Sequence, residues 1–161
     1  MPRAGFYAVE SGKISFRKDG NWYNDEERIE NARIALLFSQ SIRQNPDGSY
    51  FLQVAEERAP IIVEDTPYVV KSLADDGAGG FTMILNDDTR EPLDPASLEV
   101  GANNVLYARV KGGHRARFLR PAYYHLSGNF EADASGRFFI QLGGKRYPLK
   151  TASNDHSQAH D

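Results

Sequence analysis

The sequence predicts an α+β fold, built as two small β-rich halves with one main helix. Three observations point there. Short runs of alternating apolar and polar residues recur along the chain, separated by Gly, Asn and Asp turns. A single segment, about residues 29–43, repeats apolar residues at helical spacing. A glycine-rich connector, Asp75–Gly80 (DDGAGG), separates two strand-rich stretches. These features set the expected halves at 1–78 and 79–150, followed by a flexible polar tail at 151–161.

Taken in order, Lys13–Arg17 alternates, Asp19-Gly20 turns, and Trp22-Tyr23 follows, which is a hairpin pattern. The helix places Ala32, Ala35, Leu36, Ser39 and Ile42 on one stripe. Asn45-Pro46-Asp47-Gly48 ends it. Tyr50–Val54, Ile61–Glu64 and Pro67–Leu73 read as strands, as does Phe81–Leu85. Pro92–Leu98 reads as one helical turn capped by Asp94. Pro121–Leu126 reads as an extended aromatic segment, and residues 137–149 as a final hairpin around Gly143-Gly144. Pro67-Tyr68-Val69-Val70 and Pro121-Ala122-Tyr123-Tyr124 rhyme, a pattern consistent with internal duplication.

Charge is unevenly spread. The chain of 161 residues has formal net charge −3. Val100–Phe130 contains Arg109, Lys111, Arg115, Arg117 and Arg120 and no acidic residue. Removing these five cations leaves −8 on the remainder. Two hairpin registers are open. A loop of Gly112-Gly113 mixes apolar and basic residues on each face. A loop of Gly112-Gly113-His114, with Lys111 opposite Arg115, puts Leu106, Ala108, Val110, Ala116 and Phe118 on one face and Tyr107, Arg109, Lys111, Arg115 and Arg117 on the other. The second register is preferred because it buries a clean apolar face. Like charges facing each other are destabilising, so either internal carboxylates (Glu64, Asp65, Asp87 or Asp88) or an anionic ligand should offset them.

Composition excludes several classes. There is no cysteine, hence no disulfide, thiolate metal site or cysteine nucleophile. An acidic balance argues against bulk nucleic-acid coating. The N-terminal MPRAGFYAVESGK lacks a signal-peptide apolar run, and no stretch spans a bilayer. A cytoplasmic location, no membrane contact, no catalytic motif, no metal and no cofactor are expected. Asp87 and Asp88 with a divalent cation are the one hydrolase alternative. His156 and His160, with Asp155 and Asp161, are read as tail residues rather than ligands.

The ordered motifs Asp19-Gly20-Asn21-Trp22-Tyr23, Ala35–Ser39, Asp47–Tyr50, Val63–Val69 and Arg117–Tyr124 resemble those of a bacterial family, domain of unknown function family 1285. The resemblance spans about Ile14 to Leu149. It implies a duplicated two-part fold whose C-terminal part looks like a partly open pleckstrin-homology barrel. It also implies a site between the parts for a nucleotide-like or phosphorylated small molecule, and a signalling role. Where that family carries a His and a Gly after the aromatic pair, this chain has Asn24-Asp25-Glu26-Glu27. The expected ligand residues are Trp22, Glu64, Asp65, Arg117, Arg120 and Tyr124. In this reading the protein is a non-enzymatic binding or signalling protein. The alternative is an adaptor that recruits a protein partner along an exposed strand edge at Pro121–Leu126.

Overall fold

A computed structural model describes residues 13–151. The N-terminal unit is a meander, a helix and a second meander. Strands β1 (Ile14–Phe16), β2 (Trp22–Asn24) and β3 (Glu27–Arg28) come first. Helix α1 (Ala32–Gln40) follows, then β4 (Ile42–Gln44), β5 (Tyr50–Val54) and β6 (Glu57–Val63). The spatial order is β3-β2-β1-β6-β5-β4, with β1 and β6 running parallel at the centre.

The second sheet repeats this plan. Strands β7 (Tyr68–Asp75), β8 (Phe81–Leu85) and β9 (Arg90–Pro92) form one meander. Strands β10 (Glu99–Val100), β11 (Leu106–Val110) and β12 (His114–Phe118) form the other. The order is β9-β8-β7-β12-β11-β10, again with a central parallel pair, β7 and β12. Strand β16 (Lys150–Thr151) extends the sheet beside β10. Duplication is therefore visible in strand order, with β7 equivalent to β1 and β12 to β6. It does not follow the proline-led rhyme, because Pro121 opens a helix, α2 (Arg120–Ser127). Strands β13 (Phe130–Ala132), β14 (Phe138–Leu142) and β15 (Lys145–Pro148) form a separate three-stranded sheet.

The α+β class is as expected. There are two α-helices among the described residues, and none of the sheets closes into a barrel. The first helix is also shorter than 29–43. The Asn31 side chain accepts from the Arg33 and Ile34 N–H groups at 2.9 and 3.1 Å, which starts the helix there. Ile42 then pairs with Leu52 in a strand immediately after Ser41. The Asp75–Gly80 connector is a hairpin turn inside the second sheet. Asp76 Oδ1 accepts from the Ala78 and Gly80 N–H groups at 2.7 and 3.0 Å and closes it locally. The first sheet ends at Val63 and the second begins at Tyr68, upstream of the expected division at 78/79. Of the expected tail, Thr151 lies in β16, and the rest falls outside the described residues. Neither helix among the described residues is long and apolar enough to cross a membrane.

Two cores result. One gathers Ile14, Phe16, Trp22, Phe38, Leu52 and Val69 under α1. The other gathers Val70, Met83, Leu85, Ala116 and Phe118 with Ala122 and Leu126 of α2 and Ile140 of β14. Strand β7 serves both, because successive strand residues point to opposite faces. Val69 enters the first core and Val70 the second.

A buried polar link accompanies this packing. Ser39 Oγ accepts from Trp22 Nε1 at 2.9 Å and from Asn86 Nδ2 at 3.0 Å. Asn86 Oδ1 accepts from the Val69 N–H at 2.9 Å. A buried donor that loses its acceptor costs about 1–3 kcal/mol. Ser39→Ala should therefore lower stability by about 1–3 kcal/mol, read as a lower urea midpoint at unchanged slope.

Candidate functional site

A cleft of about 430 Å³ opens where the two sheets meet. Three pieces of chain build it. The β1–β2 turn supplies Asp19, Gly20 and Trp22, and α1 supplies Ala32, Ala35, Leu36 and Ser39. Ala35 and Leu36 follow Ala32 by three and four positions, and Ser39 follows them by four and three, so one helix face lines the wall. Lys71, Asn86, Asp88 and Leu119 come from the second half. Gly20 sits at the tightest approach. Its φ is +84°, and a Cβ there would lie 2.9 Å from Leu119 Cδ1. Only glycine combines that backbone with that contact.

The floor of the cleft is the Trp22–Ser39–Asn86 link. The rim is charged. Lys71 Nζ stands 3.3 Å from Asp88 Oδ1. The Asp19 carboxylate accepts from Tyr23 Oη at 2.5 Å and from the Asn21 N–H at 2.9 Å. Partial burial pushes that carboxyl up, yet the hydrogen bonds from Tyr23 and Asn21 outweigh it and hold it below the ordinary value. Arg28 and Glu30 complete the rim, which is therefore mixed in sign.

The basic hairpin lies elsewhere. Its turn is Lys111-Gly112-Gly113, one residue earlier than expected, with Val110 opposite His114 and Arg109 opposite Arg115. The offset along the partner strand is two residues, so each side chain keeps its expected face. Leu106, Ala108, Val110, Ala116 and Phe118 are buried. Lys111 leaves the strand for the turn. The cations on the other face meet internal carboxylates. Asp65 Oδ2 accepts from Arg117 Nη1 at 2.9 Å and from Tyr107 Oη at 2.7 Å. Glu99 lies 3.7 Å from Arg109 and 3.5 Å from Arg115. Arg115 also stacks over the Tyr107 ring at 3.9 Å. Asp87 Oδ2 holds Lys111 Nζ at 2.7 Å. Internal pairing, and not a waiting ligand, offsets this face.

The expected ligand residues are distributed over several places. Trp22 lines the cleft floor but is 1% exposed, packed by Phe16 and Phe38. Its ring is a core element and presents no stacking face. Glu64 accepts from the Lys18 N–H at 2.8 Å. Asp65 anchors Arg117. Arg117, Arg120 and Tyr124 line a separate pocket of about 250 Å³ within the second half. Of the cleft residues only Trp22 is expected from the sequence, and those missed from the second half are Lys71, Asn86, Asp88 and Leu119. The sequence offers Asp88 as a partner for the basic hairpin or as a metal ligand beside Asp87, and only the tertiary fold brings it and Asn86 to the cleft.

Other chemistry finds no assembly. Asp87 and Asp88 hold Lys111 and Lys71 respectively, and no group of three metal-ligating side chains occurs among the described residues. His114 Nδ1 is 3.5 Å from Tyr50 Oη, and His125 is 3.6 Å from Asp75. Pro121–Leu126 is helical, so the strand edge required by the adaptor reading does not exist there. Asp155, His156, His160 and Asp161 lie outside the described residues.

The fold defines an α+β protein in which one sheet plan occurs twice, with a cleft where the two repeated sheets meet. Residues 8–66 match the family model described as domain of unknown function (DUF1285), N-terminal domain. The structure resembles that of a DUF1285 family protein from Silicibacter pomeroyi DSS-3, at 20% identity and TM-score 0.64, over 91% of this chain and 83% of that one. It also resembles a DUF1285 family protein from Shewanella baltica OS155, at 19% identity and TM-score 0.58, over 76% of this chain and 95% of that one. No curated protein matches. The match over residues 8–66 and the two structural likenesses together support assignment to the DUF1285 family.

The Asp87–Lys111 pair has a pH consequence. Burial alone would raise the Asp87 carboxyl, but hydrogen bonds from Lys111 and Thr89 hold it below 3.8. A depressed folded value means that the stabilisation is complete above the unfolded value, near 3.8, and is lost as pH falls through the folded one. Asp87→Asn should cost about 1.5–3 kcal/mol near neutral pH. The gap to wild type should narrow on acidification below about pH 4 in denaturation curves.

Proposed function

We propose that this chain is a non-enzymatic ligand-binding protein of a signalling kind, whose ligand occupies the cleft between the two halves. One observation carries the reading: the cleft's floor is the hydrogen-bonded link between the halves. A molecule seated on Trp22, Ser39 and Asn86 touches both sheets at their junction. Its binding energy would therefore bear on their relative position.

The walls narrow the ligand class. Ala32 and Ala35 are small and share their wall with Leu36, and Leu119 adds an apolar side chain from the second half, which suits a flat apolar-faced ring. The mixed rim of Asp19, Glu30 and Asp88 against Arg28 and Lys71 disfavours a highly charged polyphosphate. A nucleoside or nucleoside monophosphate fits better, with Lys71 exchanging Asp88 for the phosphate.

Thermal denaturation with a panel of nucleosides, nucleoside monophosphates and phosphorylated metabolites tests this. A true ligand at a hundredfold over its Kd should add about 2.7 kcal/mol. Ala35→Leu, which fills the ring slot, should abolish the shift, and Lys71→Gln should reduce it for phosphorylated compounds only. No shift across the panel, or a shift indifferent to Ala35→Leu, would overturn the reading.

A further inference from the structure

A second recess lies wholly within the C-terminal half, away from the cleft. Two pockets share Asn104, Leu106 and Tyr123 and so form one continuous groove. Its inner part, about 260 Å³, is walled by Val100, Phe130, Phe138 and Leu149. Its outer part, about 250 Å³, ends at Arg117, Arg120 and Tyr124. No acidic residue lines either part.

Both parts carry surface that folding leaves unfinished. Phe138 is 62% exposed and Tyr124 65% exposed. Val100, Tyr123, Phe130 and Leu149 are only half-buried against the core. Apolar side chains clustered in a recess, unlike scattered ones, mark a surface suited to an apolar guest. At the other end, Arg117 is neutralised by Asp65 at 2.9 Å. Arg120 makes no ion pair among the described residues. It also occupies the first turn of α2, where the helix dipole disfavours a cation. Leu119, the N-cap residue, supplies no side-chain acceptor there. Among the described residues, the head of the groove is thus one positive charge in excess.

We infer that this groove binds a single-chain amphipathic monoanion, an alkyl carboxylate of medium length. The tail lies among Val100, Phe130, Phe138 and Leu149, and the carboxylate meets Arg120. One surplus charge suits one carboxylate better than a phosphate dianion. Charge-assisted hydrogen bonds fix the head, and burial of the tail supplies the driving force. This site is independent of the cleft and of the function proposed for it.

Isothermal titration of the full chain with octanoate, 1-octanol and inorganic phosphate tests the inference. Octanoate should saturate, octanol should bind at least tenfold more weakly, and phosphate should not saturate. Arg120→Gln and Phe138→Ser, both at exposed positions, should each weaken octanoate at least tenfold with unchanged circular dichroism. Ala35→Leu should leave octanoate binding intact, which separates this groove from the cleft. The inference is overturned if octanoate fails to saturate, if octanol binds equally, or if both groove variants retain full affinity. Binding to anionic phospholipid vesicles without binding to octanoate would also overturn it.

Discussion

The Ser39 hydroxyl holds the molecule's two halves to one geometry. It accepts from Trp22 on one sheet and from Asn86 on the other. All three side chains are buried, so none can turn to water for a substitute. Asn86 in turn accepts from the Val69 N–H, at the strand that feeds both cores. Polar satisfaction and apolar packing thus meet at β7. A shift of one half against the other would break hydrogen bonds and open the Val69 contact together.

The repeated sheet plan explains why a cleft forms at all. Each unit pairs its first and last strands in parallel, so each needs a crossover from one meander to the next. In the first unit the crossover carries α1. In the second it carries only a short helical turn at Pro95–Ser97. The second unit instead covers its sheet with α2 and the β13–β15 sheet, from further along the chain. The duplicated halves are therefore covered differently.

The cationic face shows how strongly tertiary partners decide electrostatics. Arg109 and Arg115 stand directly opposite each other, an unfavourable arrangement alone. Glu99 lies beside both and neutralises the pair, while Asp65 does the same for Arg117. Both carboxylates are partly shielded from solvent, so their attraction is less screened than that of exposed pairs. Arg120, on the helix that follows, is left without an ion pair among the described residues and gives the neighbouring groove its charge.

Much of the local structure was legible in the sequence. Asp19-Gly20 and Gly143-Gly144 turn their hairpins, and Asp94 caps its turn, because these residues act on their own backbone within a few positions. The two faces of β11 and β12 were legible despite the misplaced turn, since a two-residue offset preserves strand alternation. What the sequence could not decide depended on distant chain. Pro121–Leu126 is short and aromatic enough to read as a strand; it is helical because Ala122 and Leu126, four residues apart, bury together in the second core. Glu99 sits one residue outside the acid-free stretch and gave no sign that it would serve two arginines. The expected site residues divide between the cleft, which takes Trp22, and a pocket of the second half, which takes Arg117, Arg120 and Tyr124, while Lys71, Asn86 and Asp88 join Trp22 at the cleft. Local turns, caps and alternation belong to the sequence alone; partners, pockets and the meeting of the halves belong to the tertiary structure, because they join residues whose separation along the chain carries no local signal.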